Sequence, residues 1–291
     1  MARLGTAARQ GIGPSRSLAG VAPMSLPVNE IICGDCLEVM RDWPDKCVDL
    51  VLTDLPYGTT SNKWDSVIPF APLWTEYLRI CKPRAAFIFT ASQPFTSLLI
   101  SSQSDLFRHE WIWIKNRGSN FANTVREPMK EHESVLVFSR GKWVYNKQMQ
   151  ARTGSGNARA KYNVAFRSQS ENYRAFIGRE KTNLSKLRVP SSWQKFNTEV
   201  GLHPTQKPLS LGEYFIQNYS DKEHLILDNA CGSATFCKAA QNLGRNYIGI
   251  DISSRYCQIA RQRLEAVDTG VSVKEQNQGQ IPLFPTQKND E

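Results

Sequence analysis

The chain has 291 residues, 41% of them hydrophobic, and carries a formal charge of +9. That length suits one large α/β domain with an insertion, or two domains. No stretch approaches the roughly 20 apolar residues that span a bilayer, so a membrane-spanning helix is excluded and a soluble protein with a real core is expected.

Seven cysteines, an odd number scattered from Cys33 to Cys257, do not form a disulfide framework and predict a reducing, cytoplasmic setting. Cys33-Gly34-Asp35-Cys36 has the spacing of a redox or zinc pair. The chain has no second such pair, and His109, His132, His203 and His224 are not spaced as partners. Small buried cysteines are therefore expected, and no metal. The charge is segregated: Arg140 to Lys195 holds 13 Lys and Arg against Glu171 and Glu180, which is +11 and leaves about −2 for the remainder. A basic module on a near-neutral body points to nucleic acid as a partner.

In chain order, residues 1–23 hold three arginines and no acids, lack the apolar run of a secretory signal, and read as a disordered extension before Met24. Strand-like apolar runs follow at 29–33, 48–53, 85–90, 110–114, 134–138, 224–228 and 247–252. Most are continuous rather than alternating, as in strands buried on both faces. In 233–243, Phe236, Ala239, Ala240 and Leu243 share a helical face, with Gly244 placed as a C-cap; in 254–266, Tyr256, Ile259, Ala260 and Leu264 do the same. Alternating strand and helix predicts a doubly wound, mostly parallel sheet of seven strands. Residues 140–199 break the rhythm. They are basic and rich in Asn and Ser, with interleaved aromatics from Trp143 to Phe196, and they read as an inserted module outside the sheet. Residues 267–291 read as a flexible polar tail.

Three motifs carry chemistry. Asp54-Leu55-Pro56-Tyr57 ends the apolar run 48–53. Pro56 pushes Leu55 toward extended geometry, so the Asp54 carboxylate and the Leu55 carbonyl can offer adjacent acceptors for the two protons of an amino group. Tyr57 adds a flat face for a base. Next, "LHPTQKPLSLGEYFI" starts a helix at Pro208, with Thr205 and Lys207 at the N-terminal end, where an anion binds well. Last, "ILDNACGSATF" places Asp228 at a strand end, then Gly232 in a turn, then a helix beginning near Ser233 and Thr235. Asp251 ends the next strand, 23 residues after Asp228, spaced to accept from ribose hydroxyls.

In this order the pieces resemble the amino-DNA methyltransferases of the permuted β class. That family shows a D/N/S-P-P-Y motif, a target-recognition region, an HPTQKP helix and a D-P-F-x-G-S-G-T loop. "ICGDCLEVM" at 32–40 and "HESVLVFSRG" at 132–141 resemble two further family segments. The resemblance covers residues 28–266 and implies a Rossmann-like methyltransferase fold. Its catalytic domain would span 24–139 and 200–266, and its target-recognition insert 140–199. It implies S-adenosylmethionine as methyl donor. Asp228, Gly232, Ser233 and Thr235 would meet the methionine part, Asp251 the ribose, Asp35 and Cys36 the adenine, and Thr205 and Lys207 the carboxylate. Asp54, Leu55, Pro56 and Tyr57 would be the catalytic segment. Leu55 replaces the family's first proline. Asn229, Cys231 and Ala234 alter the cofactor loop, and Ala234 is expected to crowd the methionine end.

The reaction implied is transfer to the N6 of adenine in double-stranded DNA, because an aspartate leads the motif; N4 of cytosine is the alternative. A catalytically inactive DNA-binding homologue is a second alternative. Enzymes acting on RNA or on protein glutamine usually carry their motifs in the other order. A cytoplasmic protein of bacterial or phage origin is expected, with a homodimer and a restriction partner left open. Gln280-Ile281-Pro282-Leu283-Phe284 resembles the peptide that docks on bacterial sliding clamps.

Overall fold

The computed structural model describes residues 26–58, 65–152, 167–168, 176–177, 187–199 and 206–269. The expectations for residues 1–23, for Thr205, for the Gln280–Phe284 segment and for most of the insert lie outside the described residues.

The chain opens with β1 (Glu30–Cys33), α1 (Cys36–Arg41), β2 (Val48–Thr53), α2 (Phe70–Ile80), β3 (Cys81–Ala91) and α3 (Phe95–Ser102). Two long strands follow, β4 (Phe107–Ser119) and β5 (Lys130–Ser139). The insert contributes short pieces: β6 (Gln150–Ala151), β7 (Arg167–Ser168), β8 (Phe176–Ile177), β9 (Leu187–Arg188) and β10 (Trp193–Lys195). The alternation then resumes with α4 (Leu209–Tyr219), β11 (Leu225–Asp228), α5 (Thr235–Asn242), β12 (Asn246–Asp251) and α6 (Ser254–Thr269). Each of the seven apolar runs overlaps a strand. No helix among the described residues is long and apolar enough to cross a membrane.

The main sheet runs β1-β12-β11-β2-β3-β5-β4-β10, parallel except where β5 pairs antiparallel with β3 and β4. It is a doubly wound α/β sheet, and its strands feed both cores alternately. On β2, Leu50 and Leu52 face a core shared with Phe215 of α4, Phe236 of α5 and Ala260 of α6. Val48 and Val51 face the opposite core with Met40 of α1, Tyr77 of α2 and Leu99 of α3. Gly212 lets α4 close on α5: a Cβ there would lie 2.8 Å from the Phe236 ring.

The sheet has eight strands rather than seven, because β10 comes from the insert. Trp193, Gln194 and Lys195 pair parallel with Ile112, Trp113 and Ile114 of β4. Without them β4 would be an edge with unpaired backbone groups. The buried Gln194 side chain is fixed by Gln150 and the Ser191 carbonyl, and Trp113 Nε1 donates to the Phe196 carbonyl at 2.9 Å. Three residues containing Gln and Lys carry no apolar period, so nothing in the sequence signals this strand. The insert's aromatics also divide: Trp143, Tyr145 and Phe196 pack against the α4 core, while Trp193 stays 54% exposed. Apolar area is won back by packing those three rings on the sheet domain, so they are not free for a base.

Candidate active site

β2 and β11 are neighbours, and the chain winds outward from them in opposite directions, to β3 on one side and to β12 and β1 on the other. Ligand clefts in open parallel sheets form at the carboxyl ends of such strands. The register sets Leu227 level with Val51, Asp228 level with Gly249 and Cys33 level with Asp251. Asp228 and Asp251 therefore end two of four adjacent strands, and Asp54 and Asp35 follow the ends of the other two. A cavity of about 840 Å³ opens there, and it is lined by every candidate site residue among the described ones: Asp35, Cys36, Asp54, Leu55, Pro56, Tyr57, Lys207, Asp228, Gly232, Ser233, Thr235 and Asp251.

On the glycine-loop side, main-chain N–H groups hold the acids. Asp35 caps α1, its Oδ1 accepting from the Leu37 and Glu38 amides at 2.8 and 3.2 Å. Asp251 accepts from the Gly232 amide through Oδ2 and the Ser253 amide through Oδ1, each at 2.8 Å. Asp228 is 3% exposed and accepts weakly from the Ala230 amide at 3.4 Å. Its burial, with the nearby negative charges of Asp54 and Asp251, pushes its carboxyl up to about 8. Burial also raises the Cys36 thiol. Five of the seven cysteines are buried; Cys33 is exposed, against the expectation of small buried thiols.

The altered loop residues each find a place. Asn229, where the family has proline, is buried, accepts from the Tyr77 hydroxyl and donates to Cys36 Sγ. Gly232 sits at φ 52° and Ala234 at φ 58°. Ala234 is fully buried, packs in the α4–α6 core and is absent from the cavity lining. It does not crowd the ligand space as expected. Its cost is backbone strain, about 1–2 kcal/mol for an L-residue in the left-handed region.

A residue outside the motifs organises this loop. Arg263 of α6, 6% exposed, donates from Nη1 to the Ser233 carbonyl at 3.0 Å, the Ser233 hydroxyl at 3.2 Å and the Thr235 hydroxyl at 2.8 Å. One sequence signal exists: Arg263 falls on the same helical face as Tyr256 and Ala260.

On the Asp54 side, side chains do the holding. Asp54 Oδ1 accepts from the Tyr57 hydroxyl at 2.8 Å and from the Thr90 hydroxyl of β3. Oδ2 accepts from the Lys207 ammonium. Lys207, 7% exposed, also lies 3.7 Å from Glu133 Oε2, and Glu133 Oε1 accepts from Lys115 at 2.5 Å. Burial alone would lower the lysine's affinity for its proton, but Asp54 and Glu133 outweigh it and hold Lys207 above its ordinary value. Burial, reinforced by Asp54, holds the Tyr57 phenol well above its usual range, so it remains a donor. Tyr57 stacks on Phe95 with centroids 4.9 Å apart, and the Lys207 ammonium lies 5.8 Å from its ring centre. Leu55 is 2% exposed and anchors this turn among core residues.

Lys207 thus points at the Asp54 carboxylate, not at the separate anion site expected of it. The N-terminus of α4 is occupied by the protein's own Glu199, whose Oε1 accepts from the Leu209 amide at 3.0 Å. Pro208 gives its φ of −66° to the cap position, one residue earlier than the expected first turn. Thr90, Glu133, Lys115, Glu199 and Arg263 were not singled out by the sequence.

The sequence model of the DNA methylase family N6_N4_Mtase matches residues 48–262. Among curated proteins, the chain is 26% identical over 255 residues to the type II methyltransferase M.HpaI of Haemophilus parainfluenzae, covering 82% of this chain and 75% of that protein. It is 26% identical over 250 residues to M1.MboII of Moraxella bovis, covering 79% and 94%. Among solved structures, the M1.HpyAVI–SAM complex superposes with a TM-score of 0.54 at 21% identity, covering 81% of this chain and 98% of that one. PvuII DNA methyltransferase (cytosine-N4-specific) gives 0.57 at 14%, covering 85% and 89%. The fold is shared with both. The family match runs from β2 through the Asp54 turn and the glycine loop into α6, so the chain belongs to the N6/N4 DNA methylases, S-adenosylmethionine-dependent enzymes that act on adenine N6 or cytosine N4.

Proposed function

We propose that the chain methylates the N6 amino group of adenine in double-stranded DNA, with Asp54, Leu55, Pro56 and Tyr57 as its catalytic segment. One observation carries this reading: the Asp54 carboxylate and the glycine loop with Asp228 open into one cavity. The residues fit the donor. Gly232 supplies a left-handed turn, and three carboxylates at adjacent strand ends face a ligand that is cationic at sulfur and at its amine. Asp228, Gly232, Ser233 and Thr235 would hold the methionine part, Asp251 the ribose, and Asp35 and Cys36 border the adenine. Bound S-adenosylmethionine supplies an electrophilic methyl group on a sulfonium sulfur.

The chain's own residues do the rest. Extruding the target base costs a few kcal/mol, and stacking on Tyr57 offsets about 1–3 kcal/mol of it. Phe95 covers one face of Tyr57, so the base takes the other and moves the Lys207 ammonium aside. Tyr57 and Thr90 keep the plane of the Asp54 carboxylate fixed while Oδ2 and the Leu55 carbonyl accept from the amino group. Those bonds draw the nitrogen lone pair out of ring conjugation, and Oδ2 is placed to take the proton that the nitrogen sheds. A leading aspartate favours adenine within the family. The basic insert between residues 140 and 199 would read the site through phosphate and base-edge contacts.

Incubating the protein with tritium-labelled donor and unmethylated DNA, then digesting to nucleosides, tests the reading. Label in N6-methyl-2′-deoxyadenosine is expected; label in N4-methyl-2′-deoxycytidine overturns the choice of base, and no label overturns the activity. Asp54→Ala is expected to lose about 10³-fold in turnover with DNA binding retained in a gel-shift assay.

A further inference from the structure

The turn between β4 and β5 is built with unusual care for a segment that exposes apolar side chains. Phe121 is 78% exposed and Val125 88% exposed, on one turn of ten residues from Asn120 to Met129. Scattered surface apolar residues are ordinary, and a turn that merely tolerated them would be loosely held. This one is not. Asn120, at φ 64°, spans its base: Oδ1 accepts from the Lys130 amide at 2.8 Å, and Nδ2 donates to Glu127 Oε1 at 2.9 Å. Within the turn the Asn123 amide donates to the Asn120 carbonyl at 2.8 Å, and the Arg126 amide to the Asn123 carbonyl at 2.9 Å. The Thr124 hydroxyl closes on the Phe121 carbonyl at 2.8 Å. Gly118 lets the Met129 side chain lie across the two arms, where a Cβ would collide with it.

Position gives this tip a use. The arms of the hairpin are the wall of the active-site cavity: Trp113, Lys115, Arg117, Gly118 and Ser119 of β4 line it, as does Glu133 of β5. Phe121 lies two residues past the cavity-lining Ser119, just beyond the left-handed Asn120. Arg117, Arg126 and Lys130 are exposed around the tip, while the half-buried Glu127 is tied to Asn120 and the exposed Glu131 lies on the β5 arm. A rigid apolar point in a basic setting at the mouth of a base-accepting cavity matches one partner, the base stack of DNA. Proteins that unstack DNA insert such side chains between bases.

We propose that the β4–β5 turn is a wedge, with Phe121 entering the duplex at the gap left by the extruded base and Val125 supporting it. The proposal rests on the DNA-methylating reading above. The wedge stabilises the flipped state, so it matters only when flipping is costly. A mismatch opposite the target base lowers that cost.

The test compares two duplex oligonucleotides carrying the site mapped with the labelled donor, one fully paired and one mismatched opposite the target base. Phe121→Ala is expected to slow single-turnover methylation of the paired duplex by about tenfold and to stay within about twofold of the unmodified protein on the mismatched one. Phe121→Leu is expected to recover most of the paired-duplex rate. Equal losses on both duplexes, or less than about a threefold loss on the paired one, overturn the wedge alone. Failure of the unmodified protein on both duplexes overturns the underlying reading. Because Phe121 is mostly exposed, the substitution leaves the core untouched.

Discussion

The two halves of the cavity are held by different means. On the glycine-loop half, Asp35 and Asp251 are fixed by backbone amides from residues 2 to 19 positions away. On the Asp54 half, the carboxylate is fixed by Thr90 and Lys207, 36 and 153 positions away, with Glu133 and Lys115 behind the lysine. Main-chain clamps are rigid once their helix or turn forms. A side-chain network of alternating charge can rearrange, and on the proposed function the Asp54 half would do so to admit a base on the face of Tyr57 that Lys207 overlies. On the proposed function the donor would meet mainly backbone clamps and the target base mainly movable side chains.

The sharpest way to break this contrast is Lys207→Met. It leaves Asp54 and Glu133 facing each other without their shared cation. A loss of about 10²-fold in kcat with little change in the donor's KM is expected, comparable to removing a positioned polar group in an active site. A loss confined to donor KM would instead place Lys207 with the cofactor half. The second test is pH. Free Asp228 titrates at about 8, so below that pH it is mostly protonated, and binding a cationic donor favours the carboxylate. Binding then releases a proton, and affinity should tighten by up to about tenfold per pH unit toward pH 8 and level off above it. Calorimetry between pH 6.5 and 8.5 in two buffers of different ionisation enthalpy reads both the affinity and the proton. The smallest effect is expected from Ala234→Gly, which relieves the left-handed strain. A gain of about 0.5–1 kcal/mol, or roughly 2 °C in melting temperature, should come with unchanged donor affinity. A large gain in affinity would restore the idea that the methyl group crowds the ligand.

The same division decides what could be read in the sequence. Asp228 and Asp251 were legible because each lies at the end of a continuous apolar run, beside its own turn and helix, and Asp35 only through the resemblance of the 32–40 segment. Asp54 was legible for the same reason, but its partners were not. Thr90 looks like any strand threonine; Glu133 is visible only as a charge opening the run Val135–Phe138. Strand β10 was illegible because three mixed residues gain their order from the exposed edge of β4 and not from any pattern of their own. The role of Lys207 was misplaced because its motif shows where its helix begins but not where four methylenes carry the ammonium. The packing of Trp143, Tyr145 and Phe196 on the α4 core was illegible because an aromatic among basic residues looks the same whether it is exposed or packs on a neighbouring helix.

Strand β1 is the first of the sheet in the chain, yet it lies beside β12, the last, along Glu30–Cys33 and Ile248–Asp251. Arg261 of the final helix donates to the Ile31 carbonyl at 2.8 Å, and Asn29 bonds with Asn246. Among the described residues, the first and last strands of the sheet are thus neighbours, held by hydrogen bonds rather than by a chain connection. The strand ends that line the cleft are ordered by neighbourhood in the sheet and not by their order along the chain, since β1 and β12 meet from opposite ends of the described sequence.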